Sequence, residues 1–514
     1  MFIRRRKNKS GSTSVTVVDK SSGKFKELTT IGVSSDPKEL DEFERKGRLW
    51  IDQRTGQLSL DFDETEKAME AVWETISRIE RTLNNTPQVI LEHIYNNIGF
   101  NAINDDILRH LVIARVCHPG SKVATVEYLK SYFDEDVHLH SIYRYMDKLY
   151  NTQREIVQQI SVEHTMDVLG NRIGIVFYDV TTLYFESMPD PSDGLRDNGF
   201  SKDGKTAESQ IVLGLLVSAN GYPLSYSIFN GKQYEGYTMI PVIDDFVHRF
   251  NICDFVVVAD SGLMSEKNMS LLESAGYKYI VGARIRSESD VAKRWMLNQP
   301  KVDGLCHEYD KGGGRRLILN YSDKRAKKDA NNRKKGVERL RKAYAMGTIT
   351  KDKVNRRGYN KFLDISKDIA VSINEDKIMD DARWDGLKGY VTNTSLAPAE
   401  VMSQYHGLWV VERAFRIGKS NLEMRPMFHF TEKRIEAHIC ICFIALKVYK
   451  ELERRIHGIG LGISVDKLLD IAKTITTLKI RLPNGGIFSK TLFTTPQQHI
   501  VKLLLEELNK DKLD

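Results

Sequence analysis

The sequence is poor in cysteine, proline and tryptophan, with five, 12 and five among its 514 residues. The cysteines at 117, 253, 306, 440 and 442 form no Cys-x2-Cys pair and no other metal-ligand spacing. That excludes a zinc-ribbon or disulfide scaffold, and an odd, sparse count argues for a reducing, cytosolic setting. Cys440 and Cys442 lie in the apolar run Ile439-Cys-Ile-Cys-Phe-Ile-Ala-Leu446 and are expected to be packed thiols. No apolar run is long enough to span a bilayer, so no membrane partner is expected. The opening Met1-Phe-Ile-Arg-Arg-Arg-Lys7 is basic, but no apolar stretch follows, which argues against a secretory signal. Internal repeats are lacking too, which excludes a solenoid or propeller. Length points to three or more domains. Net charge is 76 minus 69, or +7, so its distribution matters more than its total.

Residues 1–60 read as a small β-rich module of short strand-type segments such as Ser14-Val-Thr-Val-Val18. Five of the first ten residues are Lys or Arg, a basic arm suited to phosphate or simply a solvated terminus. Residues 61–170 read as helical. Leu108, Leu111, Val112 and Val116 share a face, and Tyr143, Arg144 and Lys148 suit either a DNA-reading helix or an ordinary packing module. Residues 171–285 follow an α/β pattern. One strand ends at Asp179, and Asn220-Gly221 makes a hairpin between two apolar runs. A helix, a strand ending at Asp260, a helix capped by Ser265 and a last strand follow. Residues 286–395 interrupt this pattern as an insertion. From Asp323 to Lys361 it carries 15 Lys or Arg against four acids, a basic arm expected to meet nucleic acid through Lys327, Lys328, Arg333, Lys334 and Lys335. Residues 396–450 resume the core, and 451–514 form a helical C-terminal region.

Tyr405-His-Gly-Leu-Trp-Val-Val-Glu412-Arg-Ala-Phe-Arg-Ile-Gly-Lys419 organises the rest. Its spacing predicts one helix with Tyr405, Leu408, Glu412, Phe415 and Lys419 on a shared face, buried on several sides. A carboxylate there needs a partner, either Arg416 at i,i+4 or a metal. Ile173-Gly-Ile-Val-Phe-Tyr-Asp179 and Phe255-Val-Val-Val-Ala-Asp260 are strands that end in acids. Two strand-end aspartates and a helical glutamate are what two-metal phosphoryl transfer requires. The strand order matches the ribonuclease H-like fold, in which Asp179 and Asp260 would end side by side. The expected fold class is therefore α/β: a ribonuclease H-like mixed sheet with an insertion domain, preceded by the β-rich module and the helical domain.

These motifs resemble the DDE transposases of bacterial insertion sequences, in particular the group with the signature Tyr-x2-Arg-x3-Glu-x6-Lys. Tyr405, Glu412 and Lys419 match it, and Leu408 stands where the signature has Arg. Tyr178-Asp-Val-Thr-Thr-Leu-Tyr-Phe, Ala259-Asp-Ser-Gly, Gly231-Lys-Gln-Tyr-Glu-Gly-Tyr-Thr and Arg434-Ile-Glu-Ala-His-Ile are similar to further motifs of that group. The resemblance covers about Ile173 to Lys450. It implies metal-dependent DNA cleavage and strand transfer, with Asp179, Asp260 and Glu412 holding two Mg2+ and Mn2+ as a substitute. It also implies DNA contacts by Tyr405 and Lys419, with Arg413 and Arg416 nearby. The implied partners are transposon-end and target DNA, bound by a homodimer in the bacterial cytoplasm at the nucleoid, with no small-molecule cofactor. The competing expectations are a ribonuclease H-like nuclease and a non-catalytic DNA-binding protein derived from a transposase.

Overall fold

The computed structural model describes residues 1–510 except 22, 56–61, 186–193, 200–207, 253, 264, 350–357 and 366–370. Strands β1 (Phe2–Lys7), β2 (Thr13–Asp19) and β3 (Lys26–Ser34) form an antiparallel sheet in that order. Helix α1 (Pro37–Thr55) packs on it, so a helix occupies much of what the sequence suggested was strand and turn. Gly32 permits this contact, because a Cβ there would lie 2.6 Å from the Phe43 ring. The expected basic arm is β1 itself, and Arg5 is tied to Glu44 and Asp41 of α1 at 2.6 Å each. Helix α2 (Phe62–Ser77) and strand β4 (Ile79–Leu83) follow.

Helices α3 (Thr86–Ile98), α4 (Asp106–Cys117), α5 (Lys122–Tyr128), α6 (Leu139–Lys148) and α7 (Arg154–Val168) come next. Asp105 and Ser121 cap α4 and α5, accepting from the backbone N–H groups of Ile107 and Ala124 at 3.1 and 3.2 Å. Each cap satisfies a helix-end donor that would otherwise lack a partner.

The central sheet begins with β5 (Ile175–Tyr184), the short β6 (Asp197–Asn198), β7 (Ser209–Ser218) and β8 (Pro223–Asn230). Helix α8 (Met239–Phe250), β9 (Val256–Ala259), α9 (Glu266–Ser274) and β10 (Lys278–Ala283) complete its first part. In space the order is β8-β7-β5-β9-β10, antiparallel through β7 and parallel from β5 to β10. This is the ribonuclease H-like arrangement expected from the sequence. Helix α10 (Asp290–Leu297), β11 (Cys306–Gly312), β12 (Arg315–Tyr321), α11 (Asp323–Ala345), β13 (Leu363–Ile365), β14 (Val371–Ile373), α12 (Glu375–Ala382) and β15 (Leu387–Thr392) make up the insertion. It is not a separate body. Strands β15, β12 and β11 continue the same sheet beyond β10, all antiparallel, giving nine strands. Helices α11 and α12 and the β13–β14 pair gather around a small core of Val337, Leu340, Phe362 and Leu363.

Helices α13 (Pro398–His406), α14 (Trp409–Arg416), α15 (Glu432–Gly458) and α16 (Val465–Ala472) follow, then β16 (Thr476–Arg481), β17 (Ile487–Leu492) and α17 (Pro496–Lys510). One sheet face is covered by α8 and α9. The other meets α14 and α15, and α3, α4 and α6 pack around α15 in the same core. The helical stretch before the sheet therefore shares its hydrophobic core, because a helix as apolar as α15 must be covered on all sides. Strands β17, β16 and β4 form a small sheet in that order. Residues 1–82 with 478–490 make one compact unit, and 83–477 with 491–514 the other. Among the described residues no helix is long and apolar enough to cross a membrane.

Candidate active site

Strands β5 and β9 are parallel neighbours in the register Tyr178 to Ala259. Asp179 and Asp260 are the next residues, so their backbones lie about 4.8 Å apart, one strand spacing. Asp260 lies just past β9, but Asp179 lies in mid-strand rather than at the strand end expected, because β5 stays paired with β7 as far as Tyr184. Side chains alternate across a sheet. Phe177 and Val258 face the α14–α15 side, while Tyr178 and Ala259 face α8 and α9. Asp179 and Asp260 therefore share the side on which α13 and α14 lie. Two carboxylates so close repel, and neighbouring donors or cations lower that cost.

One such donor is Tyr405 at the end of α13, whose hydroxyl donates to Asp260 Oδ1 at 3.0 Å. Burial pushes the Tyr405 phenol up, and Asp260 adds to that. The next residue but one, Gly407, lies against Phe177, where a Cβ would come within 2.5 Å of the ring. The chain turns there. The expected continuous helix from 405 to 419 is instead α13, a break at Gly407–Leu408, α14, and a wide π-helical turn over Ile417–Asn421. Leu408 is buried and packs in the core, so the position that carries Arg in the signature has a packing role here. Trp409 is 55% exposed, contrary to the expectation of burial on several sides. Glu412 is exposed on α14, and no ion pair with Arg416 forms among the described residues.

A residue the sequence reading missed lies between the acids. Lys388 on β15 holds its Nζ 4.4 Å from the centre of the Tyr405 ring and 5.4 Å from that of Tyr390. Burial and then Arg325 push its ammonium below the usual lysine value, while Asp260 and Glu412 oppose them. Asp260 and Glu412 thus act on the same cation from α14 and β9. The available signal was period two: Lys388 and Tyr390 fall on one face of a core strand, where a lysine is out of place.

The donor set is all carboxylate oxygen, which suits Mg2+ or Mn2+ rather than zinc. Asp179 and Asp260, side by side, fit a hard divalent cation. Among the described residues no three His, Cys, Asp or Glu side chains are grouped closely enough to hold a metal ion. Glu235, in the loop before α8, lies on the Tyr178 side of the sheet, where Tyr178 donates to Thr238 at 2.8 Å and Thr238 donates to the Glu235 carbonyl. Its loop is pinned by Asn268, which donates to the Gly236 carbonyl and, at 2.7 Å, to that of Leu263.

The other expected contact residues divide. Arg413 is committed to an ion pair with Glu453 of α15, which also holds Lys450 at 2.5 Å. Arg416 is exposed, and Lys419 is half-buried in the π-helical turn. On α11, Lys327, Lys328, Lys334 and Lys335 are exposed, as expected of a phosphate-facing helix. Arg333 is not one of this set. It binds both carboxylate oxygens of Asp385 at 2.5 Å and lies 3.6 Å from Asp381, turned inward onto the α12–β15 segment. Arg325, Asp329 and Asn332 of α11 line a cleft of about 710 Å3 whose floor includes Asp260, Lys388 and Tyr405. The basic insertion therefore borders the acid site directly.

The family model for the transposase DDE domain matches residues 170–447, more than half of the chain. The chain is similar to a piggyBac transposase synaptic complex with hairpin DNA, at 8% identity and a TM-score of 0.37, over 82% of this chain and 70% of that one. It is also similar to the Mos1 transposase paired-end complex with the left transposon end, at 10% identity and a TM-score of 0.15, over 31% of this chain and 53% of that one. No curated protein matches the sequence.

Proposed function

Because the chain belongs to the transposase DDE domain family, we propose that it cleaves DNA at the ends of a mobile element and joins those ends to target DNA. The observation that carries this reading is the register of β5 on β9, which puts Asp179 beside Asp260 under Tyr405 and Lys388. Asp179 and Asp260 would hold a divalent cation, with Glu412 brought in from α14 when DNA and metal are both present. Such a cation supplies activation of the attacking oxygen and stabilisation of the leaving 3′-oxygen. Tyr405 orients the Asp260 carboxylate through its hydroxyl. Lys388 offsets the charge of the acids in the absence of metal and meets a phosphate when the scissile strand enters. Lys419 and Arg416 lie after the glutamate on the same segment and would bind the backbone near the cut. Lys327, Lys328, Lys334 and Lys335 would hold DNA along the rim of the cleft, and two protomers would pair on the two ends.

Asp179→Ala, Asp260→Ala and Glu412→Ala are each expected to reduce Mg2+-dependent nicking of an end-bearing duplex at least about a hundredfold, with DNA binding retained. Near-parental nicking by Glu412→Ala would show that the third acid lies elsewhere. A second reading is a DNA-binding protein of this family that no longer cuts, since among the described residues no three acids are grouped to hold a metal ion. Absence of any metal-dependent nicking by the parent chain, with duplex binding intact, would select it. Nicking without joining would select a nuclease.

A further inference from the structure

The segment leading from the π-helical turn to α15 carries the sequence Arg425-Pro-Met-Phe-His-Phe430. It runs extended beside the end of β5, where the Met427 N–H donates to the Tyr184 carbonyl at 3.3 Å and Phe185 and Met427 form a parallel bridge. Period-two alternation then decides which residues face out. Met427 is buried, and His429 turns inward with its ring 5.2 Å from that of the buried His438. Phe428 and Phe430 point the other way and are each 59% exposed. Two phenylalanines exposed side by side are an expensive use of a short segment, since scattered single apolar residues are normal but paired aromatic faces are not.

Cations accompany these rings. The Arg196 guanidinium lies 5.5 Å from the Phe185 ring and 6.0 Å from that of Phe430. Arg425 lies 5.2 Å from the Tyr184 ring, and Arg434 lies 4.7 Å from that of Tyr143 while also pairing with Asp147 at 3.5 Å. Tyr184 is five steps along β5 from Asp179, roughly 17 Å along an extended strand.

We propose that Phe428 and Phe430, with Arg425 and Arg434 flanking them in the chain, form a stacking platform for unpaired bases of the DNA strand that passes the acid site. The inference rests on the DNA reading above and names the form of DNA this face takes. Bases in a duplex show only their edges, so exposed rings have nothing to stack on there. An opened end presents base faces, which exposed rings can stack on, and cations on the flanking chain suit its phosphates. Charge complementarity favours nucleic acid over an apolar protein partner.

The test compares three fluorescent probes: a blunt duplex, the same duplex with a short single-stranded 3′ extension, and the extension strand alone. The paired variant Phe428→Ala/Phe430→Ala should bind the extended duplex and the single strand roughly 5- to 150-fold more weakly, the range for one stacked base. Blunt-duplex affinity should be unchanged, and so should the salt slope for every probe, because no phosphate contact is lost. Phe428→Trp/Phe430→Trp should retain or improve binding. Both residues are exposed, so the fold tolerates these changes. Unchanged binding of the extended probe, an equal loss on blunt and extended duplex, or a shift of oligomeric state in the alanine variant would each overturn the platform. A parent that binds the blunt duplex tightly while the variant matches it on all probes would defeat the platform alone. A parent that binds no DNA would defeat the wider reading as well.

Discussion

Tyr405 connects the acid site to the insertion with a single side chain: its hydroxyl reaches Asp260 and its ring carries the Lys388 ammonium. Replacing Lys388 by Met keeps the stem and removes the charge. Burial and Arg325 disfavour that charge more than Asp260 and Glu412 favour it, so stability in a chelator should hold or rise, by up to about 1 kcal/mol. Added Mg2+ should enlarge the gain, because a bound cation repels the parental ammonium. Thermal unfolding with EDTA and with Mg2+ checks this, and equal changes in both would mean that Lys388 acts elsewhere. At this scale the sequence was informative wherever chemistry and position coincide. Asp179 and Asp260 stand out because each ends an apolar β-forming run. Lys388 did not, since one lysine in a strand looks like any other until a neighbouring helix covers it. Arg333 was misread for the opposite reason: in a run of solvated cations, nothing local marks the one that finds Asp385 and Asp381.

Helix α11 tests the same distinction between exposed and committed charge. Changing Lys327, Lys328, Lys334 and Lys335 together to Gln should weaken duplex binding steeply at low salt and flatten the salt dependence by up to about four charges. The melting temperature should barely move, because exposed charges contribute little to stability. Arg333→Ala should do the reverse: a loss of about 2 kcal/mol in stability from leaving Asp385 unpaired, with little change in salt slope. Binding isotherms at two salt concentrations and a melting curve for each variant separate the two effects, and matching behaviour of both variants would remove the distinction. The α11 helix was legible from its composition. The break at Gly407 was not, because the apolar spacing from Tyr405 to Lys419 is consistent with one helix. Only the contact of Gly407 with the Phe177 ring on β5, distant in sequence, turns the chain. The membership of β11, β12 and β15 in the central sheet was hidden likewise, since strand order is decided by pairings across the fold.

Across the whole second unit, α15 runs through the core and carries ionised groups inside it. Glu451 is fully buried; burial alone would raise its carboxyl, but Arg454, Tyr222 and Arg455 bring it down to about 2. His164, 3.9 Å from it, is pushed down to about 4 by burial first and by Lys447 next. Both folded values lie below the unfolded ones. Their stabilising contributions are therefore complete above about pH 6.5 for the histidine and 4.5 for the glutamate. They are lost as pH falls toward 4 and 2 respectively, on the order of 2–3 kcal/mol each. Thermal unfolding from pH 7 to pH 3 should show a steady decline. His164→Gln should flatten its upper part, and Glu451→Gln its lower part. A parental curve flat from pH 7 to pH 4 would refute the histidine contribution. The buried ionic set was not visible in the sequence, where α15 reads simply as an apolar helix with a charged end. Nor was the return of β16 to pair with β4, with β17 on its far side.

Strands β10 and β15 are antiparallel neighbours, with Ala283 paired to Gly389 and Ile280 to Thr392. Residues 284–386 are thus, in topological terms, the loop of a hairpin that has grown to hold sheet strands and a basic helix of its own. The closing ends of such a loop are fixed by the ladder, and the entropy of closure rises by only about 0.6 kcal/mol for each doubling of its length. A lineage could therefore lengthen, replace or strip this stretch without shifting the frame that carries Asp179 and Asp260. Stripping it would bare the β15 edge now covered by β12, and a bare edge invites pairing with another chain. Exchange of one insert for another that still supplies a covering strand is the route this architecture leaves open to new DNA preferences.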